Sequence, residues 1–364
     1  MKEAAEIVSQ FRLEGKITEI VPMNSGHINT TSRITVDNEG KTEKYTLQAI
    51  NTFVFKNPEG VMDNISKVTA HIKDKLSKSG GDTERGVLTV VQALDGKFFY
   101  KDEEGTYWRI YRFIDNSHTE NKVENPKSLY NAGVGFGNFQ KQLSDFPMES
   151  LVDTIPDFHN TPVRFAQLTE AIDKNIAGKL DSCIPEIEFF KEREKEMSIL
   201  TNLKAEGKMP LRVTHNDTKF NNILLDDETN EALSVIDLDT VMPGLVTDDF
   251  GDAIRFAANT ADEDETDLSK VEVSLELFEA FTKGFLEALD GSLTKTEMEY
   301  LAWGAKIITM ENAMRFLADH LNGDVYFKIH RENHNLDRAR CQIALAKSME
   351  ENFDKMQEIV KKYM

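Results

Sequence analysis

Arg212 to Asp252, RVTHNDTKFNNILLDDETNEALSVIDLDTVMPGLVTDDFGD, is the stretch whose reading decides the fold. Two apolar runs, Asn222 to Leu225 and Leu233 to Asp237, read as strands, and the cluster Asp226-Asp227-Glu228-Thr229-Asn230 between them reads as a turn. Together they predict a β-hairpin. With Leu225 opposite Ser234, Asn222 falls opposite Asp237 at the open end. Cross-strand Cβ atoms lie roughly 4.5–5.5 Å apart, so an amide oxygen and a carboxylate would converge there, and a hard cation fits between them. Just upstream, His215-Asn216-Asp217-Thr218-Lys219 follows the apolar Leu211-Arg212-Val213 and lies in a loop that opens at the same end.

The rest of the chain bounds what this stretch can do. Its 364 residues suit two lobes better than one core. A hydrophobic fraction of 40% and a charged fraction of 29% belong to an ordinary globular protein. The formal charge of −20 disfavours nucleic acid and anionic membrane surfaces as partners, because both are repelled at long range. Cys183 and Cys341 form no C-x-x-C pair, so neither a disulfide framework nor a structural zinc site is expected. The first helix, with Ala4, Ile7, Val8 and Phe11 in phase, is interrupted by charges unlike a signal peptide. No run of about 18 apolar residues predicts a membrane span, and a cytoplasmic protein is expected.

Strands are predicted at Lys16–Val21, Ser32–Val36, Lys44–Ile50, Val87–Ala93, Phe98–Lys101 and Thr106–Phe113. The turn containing Ser25, Gly26 and His27 could offer backbone N–H groups to an anion. Pro58 to Ser77 carries Val61, Ile65, Val68, Ile72 and Leu76 on one stripe, a helix to cover the small sheet. Beyond a boundary near Asp115, helical periodicity dominates in 126–144, 162–177, 185–205, 269–288, 295–320 and 337–362. Gly133, Gly135 and Gly137 read as close helix packing, not a nucleotide fingerprint. The acidic run 262–265 reads as a solvated loop, and His330 with His334 lacks the further ligands of a metal site.

The spacing H-x-D-x-x-x-x-N over His215, Asp217 and Asn222, followed by a hairpin and Asp237, resembles the catalytic loop and metal-binding turn of the aminoglycoside phosphotransferase-like small-molecule kinases. That resemblance implies an α+β, bilobal protein-kinase-like fold: a small antiparallel β-sheet lobe over 1–115 that binds nucleotide, and a larger, mainly helical lobe over 116–364. It implies ATP as co-substrate and Mg2+ held by Asn222 and Asp237, with Asp217 receiving or orienting the acceptor's proton. Ser25, Gly26, Gln48 and the connection Phe113-Ile114 are the implied nucleotide contacts.

In eukaryotic protein kinases the third strand carries a lysine for the phosphates. Here that slot holds Gln48, and Lys219 is the candidate cation to compensate. The longer wording THNDTKFNNILLD, VIDLDTVMPGL, DFGDAIRFAANT and MRFLADHLNGDVYFK is similar to the N-acetylhexosamine 1-kinases within that family. This similarity implies a sugar acceptor contacted by Asp217, Asp239, Phe256, Arg315 and Tyr326, with His27 reaching from the small lobe. Arg315, in an apolar helix, is expensive to bury unless paired, and a ligand or an aspartate such as Asp239 or Asp319 is expected to satisfy it. Other acceptors of the same fold, or a nucleotide-binding pseudokinase lacking the strand lysine, are the alternatives.

Overall fold

The computed structural model describes residues 2–23, 29–123 and 125–364. Ser25, Gly26 and His27 lie outside the described residues. The chain divides into two compact units, and the α+β expectation of an antiparallel sheet lobe plus a helical lobe holds.

The first unit comprises Met1–His118, Gln142–Pro156 and Leu224–Pro243. Its sheet has five antiparallel strands: β1 (Lys16–Met23), β2 (Thr30–Asn38), β3 (Lys41–Ile50), β4 (Tyr100–Lys101) and β5 (Tyr107–Arg112), in the order β1-β2-β3-β5-β4. Alternation sorts the side chains. Ile34, Val36, Tyr45, Leu47 and Ile110 bury against Ile7, Val8 and Phe11 of the N-terminal segment. The alternate face of β5 sends Arg109 toward Met62 of the helix Pro58–Ser79. That helix starts at Asn57, whose side chain accepts the Gly60 N–H, and stops at Gly80 in the left-handed region. Asn64 on it donates to the carbonyls of Val152 (2.7 Å) and Val241 (2.9 Å) and accepts the Val152 N–H.

The run Val87–Ala93 is not a strand. Val90 makes a single bridge to Tyr111 and Ala93 one to Phe11, so this β-branched segment divides its backbone between two partners and builds no ladder. The hairpin is present, with strands Ile223–Asp226 and Ala232–Val235, and Ser117–His118 pairs on its outer edge.

Helices dominate the second unit, Thr119–Lys141, Asp157–Ile223 and Gly244–Met364. Leu301–Leu321 runs through its core, with Ile307, Met310, Ala313, Met314 and Leu317 buried among Phe190, Leu200, Leu336, Ala339 and Ile343. Small residues set its approach to Val246–Ala257. A Cβ on Gly251 would lie 3.0 Å from the Ala305 nitrogen, and one on Gly304 would lie 2.8 Å from the Thr247 carbonyl carbon. The packing role expected for the glycines of Pro126–Gln142 is borne out at two of them. A Cβ on Gly133 would meet the backbone of Phe281 and Phe285, and one on Gly137 that of Phe285. The span 185–205 is broken rather than continuous: Ile184–Glu192, a 3-10 turn at Glu194–Ser198, then Ile199–Ala205.

Candidate active site

The Asp217 loop follows the short strand Arg212–Thr214 and is held chiefly through its backbone. Asp249, buried on Val246–Ala257, accepts the N–H groups of His215 (2.9 Å) and Asn216 (2.7 Å), and Gln140 Nε2 donates to it at 2.5 Å. Thr218 Oγ1 donates to the Asp249 carbonyl at 2.5 Å. Such backbone donors suit a carboxylate in a dry site, although burial still pushes the Asp249 carboxyl up. Asn216 has φ +64°, and asparagine is among the few non-glycine residues that adopt that conformation readily. His215 is fully buried, edge-on to Phe136 and Phe139, and its Nδ1 accepts the Asp217 N–H at 3.2 Å. This geometry braces the loop.

At the tip, the structure brings together three of the sequence-selected residues. Lys219 Nζ lies 2.8 Å from Asp217 Oδ1. Asn222 Nδ2 donates to the Asp217 carbonyl (2.8 Å) and to Oδ2 (3.2 Å), which leaves its amide oxygen unengaged with that aspartate. Burial pushes the Asp217 carboxyl up, and the Lys219 charge and hydrogen bond, with Arg255 further off, more than reverse this, so it sits below the usual carboxylate range. It is an ionised carboxylate.

Gln48 belongs to a polar row across the sheet of the first unit. Thr31, Gln48 and Arg109 stand opposite one another on β2, β3 and β5. Gln48 Nε2 donates to Thr31 Oγ1 (3.2 Å), and its Oε1 accepts from Arg109 Nε (2.9 Å). Arg109, 1% exposed, also donates through Nη1 to Asp239. The second Asp239 oxygen accepts from Asn29 Nδ2 at 2.7 Å. Burial works against the Arg109 charge, but Asp239, with Asp237 beyond it, drives its pKa above the ordinary value. Asp237 itself has φ +59° and leads into the turn Leu238–Thr240. Sequence reasoning passed over Arg109. Its signal was a charge between Trp108 and Ile110 in a strand whose other charge, Arg112, stands at its end.

In the connection, the Phe113 N–H is bonded to the Lys44 carbonyl (3.0 Å) and the Ile114 carbonyl accepts from Ser117 Oγ (2.7 Å). Lys44 pairs with Asp115 at 2.5 Å.

Arg315 and Tyr326 share one cluster in the second unit. The Arg315 guanidinium lies 5.4 Å from the Phe158 ring and 5.4 Å from the Phe327 ring. It donates to Asn312 Oδ1 (3.3 Å), a neutral amide and neither of the two aspartates named from the sequence. Asp319 instead accepts the N–H groups of Val325, Tyr326 and Phe327 and the Asn335 amide. Tyr326 is 49% exposed and packs on Phe327. Phe256 is half-buried. Its neighbour Arg255 is held by Asp252 and by Glu263 of the acidic run. That run is more than a solvated loop: Asp262 pairs with Lys122, and Asp264 with Arg331 and His334.

Among the described residues no three His, Cys, Asp or Glu side chains are grouped to hold a metal ion, and no helix is long and apolar enough to cross a membrane. Two protein oxygens, an amide and a carboxylate, match what Mg2+ accepts when substrate phosphates complete its shell.

Solved structures of similar fold include an aminoglycoside phosphotransferase from Alicyclobacillus acidocaldarius, 12% identical with a TM-score of 0.66 over 98% of this chain and 96% of that one. A choline kinase from Cryptosporidium parvum is 15% identical, TM-score 0.53, covering 94% and 92%. An ADP-bound aminoglycoside phosphotransferase is 15% identical, TM-score 0.52, covering 96% and 98%. These likenesses place the chain in the kinase-like fold. The model of the phosphotransferase enzyme family matches residues 19–281, more than half of the sequence and including the whole Asp217 loop and hairpin, and the chain belongs to that family of small-molecule phosphotransferases.

Proposed function

We propose that this phosphotransferase moves the γ-phosphoryl group of Mg-ATP to the anomeric hydroxyl of an N-acetylhexosamine, N-acetylglucosamine or N-acetylgalactosamine, giving the sugar 1-phosphate. The observation that carries the reading is the ionised Asp217 carboxylate, flanked by Lys219 and Asn222. Phosphoryl transfer asks a protein mainly to position groups and neutralise charge. Asp217 orients the acceptor hydroxyl and receives its proton, and Lys219 supplies the positive charge that Gln48 cannot. The Asn222 amide oxygen and the Asp237 carboxylate would hold Mg2+, which would neutralise charge on the phosphates. Gln48 and the Phe113-Ile114 backbone serve the nucleotide, with Ser25 and Gly26.

A sugar is favoured over a cationic acceptor by the charge around Arg315. Burial and the nearby Arg315 lower the pKa of Arg164, so two guanidiniums lie close together, and Arg315 is bonded to a neutral amide. Choline or an aminoglycoside would meet like charge there, whereas hydroxyl and acetamido oxygens can accept from both arginines. Tyr326, Phe256, Asp239 and His27 complete the proposed acceptor contacts. Mixing the protein with Mg-ATP and a panel of sugars, choline, homoserine and aminoglycosides, then reading phosphorus and proton spectra, tests this. Phosphate on the anomeric carbon of an N-acetylhexosamine is expected; turnover of another acceptor only, or of none, overturns it.

A further inference from the structure

A buried charged cluster behind the Asp217 loop takes no part in the chemistry above. His159, whose side chain is 7% exposed, precedes the helix Thr161–Lys174. Its Nδ1 lies 2.8 Å from Glu311 Oε1 and its Nε2 lies 3.0 Å from the Asn216 carbonyl oxygen. A carbonyl only accepts, so Nε2 carries a hydrogen. Glu311, fully buried, accepts from Thr161 Oγ1 on its other oxygen (2.8 Å) and faces Nδ1 as a carboxylate. Both ring nitrogens therefore donate, and the ring is an imidazolium.

We propose that His159, as an imidazolium bridging Glu311 and the Asn216 carbonyl, is the positioning residue that fixes the direction of Asp217. The peptide between Asn216 and Asp217 is planar. Its carbonyl end is held by His159 and its N–H end by His215 Nδ1. Pinning both ends of one rigid plane fixes the N–Cα bond of Asp217, and the Asn222 amide on the Asp217 carbonyl limits rotation about that bond, so the Cα–Cβ direction is set. Neutral His159 has one donor for two acceptors, so one end of the cluster lets go.

The charged groups around the ring come from every element packed on it. Glu311 stands on Leu301–Leu321, with Arg315 one turn on; Asp248 lies on Val246–Ala257; Arg164 lies on the helix Thr161–Lys174 that His159 precedes. Burial pushes the His159 pKa down, and Glu311, with Asp248, more than reverses this, to about 9. Burial likewise pushes the Asp248 carboxyl up to about 7, so the cluster favours one net carboxylate beside the imidazolium at neutral pH.

This inference rests on Asp217 acting on the acceptor, and its test has a part independent of that. In the unliganded wild-type protein, the nitrogen-15 shifts of the His159 ring should show an imidazolium at neutral pH that titrates near pH 9. A ring neutral at neutral pH overturns the proposal whatever the acceptor. With whichever acceptor turns over, His159→Gln should lower kcat on the order of a hundredfold. KM for both substrates should hardly move, and the alkaline limb of the wild-type kcat profile should disappear. Glu311→Gln, which keeps the hydrogen bond but removes the charge, should shift that limb to lower pH. Wild-type kcat in His159→Gln, an unmoved limb in either variant, or a loss confined to KM overturns it. Should His159→Gln fail to fold, the ring titration and the Glu311→Gln profile decide.

Discussion

Gln48 on β3 and Arg109 on β5 stand directly opposite each other, and Arg109 Nε donates to Gln48 Oε1 at 2.9 Å. The slot where eukaryotic protein kinases hold a strand lysine thus has a cation one strand over, at 1% exposure and paired with Asp239. Removing one partner of a buried pair leaves an uncompensated charge, which costs about 3–5 kcal/mol. Arg109→Met should therefore destabilise the fold by that order in urea unfolding, and Arg109→Met combined with Asp239→Leu should recover much of the loss. A single variant of unchanged stability would show that the pair is not a structural tie.

Asp217→Asn keeps the shape of the loop but removes the ionised oxygen and the partner of Lys219. Turnover should fall by about 10²–10⁴-fold while ATP binding, followed by calorimetry, persists. Lys219→Ala should lower kcat and weaken ATP binding together. Turnover that survives Asp217→Asn would remove Asp217 as the base, and binding without turnover in every variant and in the wild type would point to the pseudokinase reading.

Arg315→Ala should raise the acceptor KM by about tenfold, the equivalent of one charge-assisted hydrogen bond, and leave the ATP KM where it was. Steady-state kinetics at varied acceptor and saturating ATP separates the two. An ATP KM that moves instead would take Arg315 out of the acceptor site.

Asp248 carries a pH dependence of known sign. Its folded pKa, about 7, lies above the unfolded carboxyl value, so its contribution to stability is fully present below the unfolded value. That contribution is lost as pH rises through about 7. Asp248→Asn has nothing to lose over that window. Its melting temperature relative to wild type should rise between the unfolded carboxyl value and about pH 7 and level off above, by the equivalent of a few kcal/mol at most. A difference that stays flat with pH would mean that the Asp248 pKa is the same in the folded and unfolded chain.

At the crossing of Val246–Ala257 with Leu301–Leu321, Gly304→Ala would push a methyl group against the Thr247 backbone, which has no flexible side chain to yield. Overpacking of this kind costs about 1–3 kcal/mol. Thermal melts should show it, with the acceptor KM little changed in the remaining folded enzyme.

How far the sequence could be read depended on whether a residue's neighbours along the chain are also its neighbours in space. The Asp217 loop and the hairpin were legible because their polar residues sit between two apolar runs a few positions away. Arg109 was not, because both faces of β5 are covered and alternation alone cannot say which face hides a charge. Val87–Ala93 has strand composition, yet its bridges go to Phe11 and Tyr111, partners that no local pattern announces. The acidic run 262–265 read as solvated because its cations, Lys122, Arg255, Arg331 and His334, come from elsewhere in the chain. The break in 185–205 carries no proline or glycine, and no residue there accounts for it.

Met62 faces Arg109 from the helix Pro58–Ser79, where a kinase whose activity is controlled through that helix presents a glutamate to the strand lysine. Here the counter-charge comes from Asp239, two residues along the backbone from Asp237. Displacing the helix would therefore break no ion pair of the Arg109 cation. The ion pair instead ties β5 directly to the turn Leu238–Thr240 within the first unit.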